Sequence, residues 1–144
     1  MARLLVKALA GALMLCCGGC AQSLTITAAN LGPDVHFAFA PQRFIGDIEV
    51  FEKDAPPGRP AICRVRWHRE GAPADREPRF TGWAYGRPLD AELGPSSSCP
   101  ALLPGQAYTI RVSHSGHCMT TMSFRVYAGG TVRELQPSDN MCWM

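Results

Sequence analysis

Hydrophobic and polar residues alternate along this chain at a spacing of two, the signature of strands with one face buried. Leu24 to Ala28 alternates Leu and Ile with Thr, and Val35, Phe37 and Phe39 share a face opposite His36 and Ala38. Ile48 and Val50 oppose Glu49 and Phe51. Between Ala61 and Arg69, Cys63, Val65 and Trp67 point one way and Arg64, Arg66 and His68 the other, which predicts a half-buried strand with a charged outer face. Phe80 to Tyr85 is short and aromatic. Tyr108, Ile110 and Val112 oppose Thr109, Arg111 and Ser113, and Met122, Phe124 and Val126 oppose Ser123, Arg125 and Tyr127. Ala128-Gly129-Gly130 followed by Thr131 to Leu135 predicts a hairpin return.

Turn formers fall between these runs. Pro56-Pro57-Gly58, Gly71 to Pro78, Gly94-Pro95 with Ser96 to Ser98, Pro104-Gly105 and Gly129-Gly130 each interrupt the alternation. With 12 Pro and 14 Gly spread through the sequence, no long helix runs uninterrupted. The pattern predicts a single all-β domain over residues 24–144, either a β-sandwich or a small antiparallel β-barrel.

One stretch favours the sandwich. Leu103-Pro104-Gly105-Gln106-Ala107-Tyr108-Thr109-Ile110-Arg111-Val112 resembles the entry to strand F of fibronectin type III domains, which are Ig-like sandwiches. In that family a Leu-x-Pro-Gly corner leads into a Tyr whose hydroxyl bonds back to the turn. The resemblance implies that Tyr108 is such a tyrosine corner, with its ring in the core.

The first residues are of another kind. Arg3 and Lys7 supply positive charge, Ala8 to Leu15 form an apolar run too short to span a bilayer, and small residues lead to Cys20. Gly18-Gly19-Cys20 resembles the lipobox of bacterial lipoproteins, although Cys17 stands where that family usually has Leu, Val or Ala. The resemblance implies a signal peptide over residues 1–19, diacylglycerol and fatty acyl modification of Cys20, and a short tether over residues 20–23. With Ala21 and Gln22 after Cys20 and no Asp next to it, the sorting rule of enteric lipoproteins implies the outer membrane, facing the periplasm.

Removing residues 1–19 changes the charge and the cysteine count. The chain has 14 Lys+Arg against 12 Asp+Glu, a formal net charge of +2. Arg3 and Lys7 leave with the signal, so the remaining domain is formally neutral and a nucleic-acid partner loses its electrostatic basis. Cys16 and Cys17 leave too, and with Cys20 acylated, Cys63, Cys99, Cys118 and Cys142 remain. An even set in an oxidising compartment predicts two disulfides. Four cysteines allow three pairings, which sequence does not distinguish. The nearest-neighbour arrangement, Cys63–Cys99 with Cys118–Cys142, is expected because it would pin the chain next to Trp143.

Small lipoproteins assigned to type VI secretion immunity share a looser layout: a lipobox, a cysteine-bearing strand, an aromatic Tyr-Gly segment, a Leu-x-Pro-Gly-x-x-Tyr strand and a closing strand. Cys63 to Trp67, Trp83-Ala84-Tyr85-Gly86, Leu103 to Val112 and Met122 to Tyr127 resemble these pieces in the same order. The resemblance implies a binding protein whose partner is a toxin delivered into the periplasm.

Candidate chemistry is sparse. Trp83 and Tyr85, flanked by Arg79 and Arg87, are residue types that anchor protein interfaces and form the candidate binding patch if exposed; the alternative is that both are core on one strand face. Arg59, Arg64, Arg66, Arg69, Arg76, Arg79 and Arg87 lie in one stretch that would suit an acidic partner if gathered on one surface. His114, His117 and Met119 are possible copper ligands, and His114 and His117 could face one another across Ser115-Gly116, but their spacing matches no established ligand set. Ser96 to Ser98 lie in no nucleophile elbow, and His68 and Glu70 have no nameable acid–base partner. No catalytic residue and no cofactor is expected. The sequence points to a membrane-anchored, non-enzymatic binding module, with a periplasmic metal-binding protein or a structural envelope lipoprotein as alternatives.

Overall fold

The computed structural model describes residues 23–66, 79–88, 99–114 and 117–143. The signal segment, Cys20, Trp67, His68, Arg69, Glu70, Arg76 and Ser96 to Ser98 lie outside the described residues. The strands are β1 (Thr25–Leu31), β2 (Asp34–Glu52), β3 (Cys63–Arg66), β4 (Arg79–Ala84), β5 (Ala107–His114), β6 (Cys118–Val126) and β7 (Val132–Cys142). A 3-10 turn, Ala128–Gly130, joins the last two. All pairings are antiparallel, in the order β1-β2-β5-β6-β7, with β3 and β4 also paired to β2. As expected, the domain is all-β. Its sheet curls round until β1 lies beside β7, so the architecture is the nearly closed, barrel-like form of the two that were expected.

Two expected strands are halves of one. The hydrophobic alternation before Pro41 and the alternation after Gly46 both belong to β2, which is 19 residues long. Phe37, Phe39 and Ile45 are buried, and so are Ile48 and Val50, so the inward positions switch from odd to even along the strand. The switch occurs where the register with β5 slips, between Ile45 and Asp47. An extra residue in one strand reverses which face its side chains occupy, and the bulge thus keeps both halves facing the core. The first half of β2 carries β1 and β4, and the second carries β3 and β5.

The interior is filled by Leu24, Ile26, Phe37, Ile45, Ile48, Ile110, Val112, Met122 and Phe124, all nearly or wholly buried. Phe37 stacks on Trp83 and meets Phe124 edge-on. Gly82 is required at this contact. A Cβ there would lie 2.6 Å from the carbonyl oxygen of Phe37, so only a residue without a side chain lets β4 approach β2 so closely.

β7 extends further than its composition suggests. Gln136-Pro137-Ser138-Asp139-Asn140 has the residues of a loop, yet it continues as strand to Cys142. Its polar side chains stand in for a missing backbone ladder to β1. Glu134 Oε1 accepts from the Ala28 N–H (3.0 Å), and Ser138 Oγ accepts from the Ile26 N–H (2.7 Å) and donates to the Ile26 carbonyl (3.2 Å). Asn140 bonds both backbone groups of Leu24, and Asn30 answers from β1 by bonding Gly130 O and Val132 N–H. Backbone groups at a strand edge need partners, and here side chains supply them.

Disulfides join Cys63 to Cys99 and Cys118 to Cys142, the nearest-neighbour arrangement. The first ties β3 to the segment before β5, and the second locks the end of β7 to the start of β6.

Candidate functional site

A concavity lies on the outer face of the sheet, between the second half of β2 and the segment that follows it. The register sets three outward rows side by side: Asp47 lies opposite Arg66 and Glu49 opposite Arg64 on β3, while Glu49 lies opposite Arg111 and Phe51 opposite Thr109 on β5. Opposite charges facing each other across strands attract, and this placement makes a ladder of ion pairs with the acids in the middle. Arg64 binds Asp47 through two hydrogen bonds of 3.3 and 2.8 Å, and Arg66 lies 3.6 Å from the same carboxylate. Arg111 bonds Glu49 at 2.9 Å while its guanidinium sits 4.6 Å above the Phe51 ring. The Asp47 and Glu49 side chains are only 17% and 14% exposed, whereas Arg64 and Arg66 keep 49% and 55% exposure. The surface therefore presents guanidinium edges over half-hidden carboxylates. The hydrogen bond to Asp47 raises the pKa of Arg64 above its ordinary value.

A rigid turn forms one wall. Pro56 O accepts from Arg59 N–H at 3.2 Å, Pro57 occupies the position where a fixed φ helps, and Gly58 has φ +87°. That combination is a type II turn, which needs Gly at its third position. Arg59 pairs with Glu52 at 3.3 Å across its base. Between this turn and the strands runs a groove of about 330 Å³, lined by Phe51, Ala55, Pro57, Arg111 and Met119 among others. A second concavity of about 450 Å³ continues along Arg59, Pro60, Arg64 and Arg111.

Compared with known protein families, curated proteins and solved structures, the chain matches none.

The residues expected to bind lie elsewhere. Trp83 is buried, only 3% exposed, and its indole N–H donates to Arg87 O at 2.7 Å, so it belongs to the core and not to a contact surface. Tyr85 is half-buried beside it, its hydroxyl donating to Pro100 O at 2.7 Å, and burial pushes its pKa up to about 12. Arg79 is exposed on β4, and Arg87 lies 3.8 Å from Asp34. The described arginines of that stretch thus divide: Arg59 and Arg64 line the concavities with Arg66 beside them on Asp47, while Arg79 starts β4 and Arg87 follows it.

The possible copper ligands diverge. His114 points into the barrel, 1% exposed, with Nε2 2.8 Å from Thr120 Oγ1, whereas His117 is exposed. Cys118 is in a disulfide. Among the described residues no group of three or more His, Cys, Asp or Glu is placed to hold a metal ion.

Tyr108 is where the fibronectin-like motif implies. Its ring is buried, and its hydroxyl accepts from the Leu103 N–H at 2.9 Å. The groove residues Glu49, Phe51 and Arg111 were each legible as outward-facing, whereas Asp47 was not singled out. What sequence alone lacked was the register that aligns their rows.

Proposed function

We propose that this chain is an envelope lipoprotein, anchored through acylated Cys20, whose barrel is a non-enzymatic module that binds a protein. In its concrete form it is an immunity protein that neutralises a toxin delivered into the periplasm. The observation that carries the reading is Arg111 stacked on Phe51 and paired with Glu49 at the floor of a groove with a rigid wall. Arg and aromatic side chains held in place before binding are the residues on which interface affinity concentrates. Half-exposed guanidinium groups can exchange their internal carboxylates for those of a partner at little conformational cost.

The test is titration of the mature domain with the protein encoded beside it, together with protection of cells producing that protein in their periplasm. A one-to-one complex is expected, with affinity reduced about tenfold or more by Phe51→Ala combined with Arg111→Ala. Absence of a complex and of protection overturns the immunity reading.

A further inference from the structure

Two ends of the barrel differ in how near they stand to the anchor. Row by row, Ile45 lies beside His114, which lies beside Cys118, which lies beside Cys142. At the other end Glu52, Tyr108, Phe124 and Glu134 form the corresponding row. The six residue steps along β5 from Tyr108 to His114 put these ends about 20 Å apart. Ser23 belongs to the first end, because Leu24 is bonded to Asn140 and β1 runs antiparallel to β7. The Ser23 carbonyl is within reach of Arg43 Nη2 at 3.4 Å, which ties the exit point to β2.

Cys20 precedes Ser23 by three residues, and three residues span about 11 Å at most. Acyl chains on Cys20 therefore hold this end of the barrel against the bilayer surface. At this end stand two large apolar side chains without cover: Met141, 58% exposed, and Trp143, 52% exposed. Neither is loosely attached. The Cys118–Cys142 disulfide lies between them, and Trp143 N–H donates to His117 O at 3.0 Å. Met119, directly opposite Met141 on β6, extends the patch. Trp is favoured at the boundary between water and hydrocarbon, where its ring sits in apolar surroundings and its N–H stays hydrated.

We propose that Trp143 and Met141 enter the headgroup region of the membrane that holds the Cys20 lipid. This rests on the anchoring reading above and adds an orientation to it. The barrel stands on its His114 end, with the row of Glu52, Tyr108, Phe124 and Glu134 directed away from the membrane into the periplasm. A single acyl attachment through a short tether limits distance but not tilt; the second contact fixes the tilt.

The experiment uses the processed, acylated protein in vesicles of phosphatidylethanolamine and phosphatidylglycerol, with and without lipid brominated along the acyl chain. Wild-type tryptophan emission is expected to be quenched by the brominated lipid. In Trp143→Phe the quenching is expected to vanish while the protein still floats with the vesicles. Leu103→Trp on the Trp143→Phe background places an exposed indole at the far end and is expected to stay unquenched. Vesicle-bound, acylated wild type without quenching, quenching that survives Trp143→Phe, or quenching from position 103 equal to wild type each overturns the orientation alone. An intact mass without acyl chains overturns the anchoring reading and this inference together.

Discussion

Asn140 holds the backbone of Leu24 at both of its polar groups, Oδ1 accepting from the N–H at 2.8 Å and Nδ2 donating to the carbonyl at 3.0 Å. The same Oδ1 accepts from Thr120 Oγ1 at 2.6 Å. Because a threonine hydroxyl has one proton, and that proton goes to Asn140, Thr120 must accept from His114, whose Nε2 therefore carries hydrogen. A directed chain of hydrogen bonds thus joins β5, β6, β7 and β1 at the His114 end of the barrel.

Replacing Asn140 should open this seam. Asn140→Ala leaves the Leu24 groups and the Thr120 hydroxyl without their partner and should cost about 1–3 kcal/mol. Asn140→Asp should cost at least as much, because a carboxylate then faces the Leu24 carbonyl. Urea denaturation without reductant checks both, with the midpoint falling and the slope unchanged.

Acidification should weaken the same seam. Burial, with the charge of Arg43 adding to it, lowers the pKa of His114 below its ordinary value. The unfolded chain then binds a proton at His114 before the folded chain does. Stability is therefore unaffected by this group above about pH 6.5, falls as pH drops below that, and levels off below the folded value. His114→Gln should remove this part of the dependence, seen as a smaller loss of stability between pH 7 and pH 5 than in wild type.

Tyr108→Phe tests the corner. The Leu103 N–H loses its acceptor while the ring remains in place, so the expected cost is about 1 kcal/mol. A midpoint identical to wild type would mean that water replaces the hydroxyl without loss.

Removing the Cys118–Cys142 bridge by changing both residues to Ser should cost about 3–4 kcal/mol by loop-closure entropy. The bridge closes a separation of 24 residues, and Asn140 is two positions from its end. Loss of the bridge and Asn140→Ala should therefore be non-additive in a double-mutant cycle. Strict additivity would show that the disulfide and the seam act independently.

Much of the fold was legible because burial imposes alternation. The inward sets Tyr108, Ile110, Val112 and Met122, Phe124, Val126 follow from period two alone. The Tyr108 corner was legible too, through the resemblance of Leu103 to Val112 to the fibronectin type III strand F entry. β2 was not legible as one strand, because the Gly46 bulge shifts the phase and a phase shift looks like an interruption. The second half of β7 was hidden for the opposite reason: Ser138 and Asn140 are polar because they bond β1, and local composition does not record that distant partner. The groove escaped for want of register, and of the two readings open for the aromatic segment the core one holds for Trp83.

The side-chain seam between β1 and β7 also governs how copies behave toward each other. An open strand edge is a template on which another chain can pair. Here the facing N–H groups of Leu24, Ile26 and Ala28 are already occupied by Asn140, Ser138 and Glu134. Pro137, which has no N–H to offer, sits within the same stretch of β7. Copies of the domain brought close together would find no vacancy along this edge, and side chains of β7 block self-association by strand addition there.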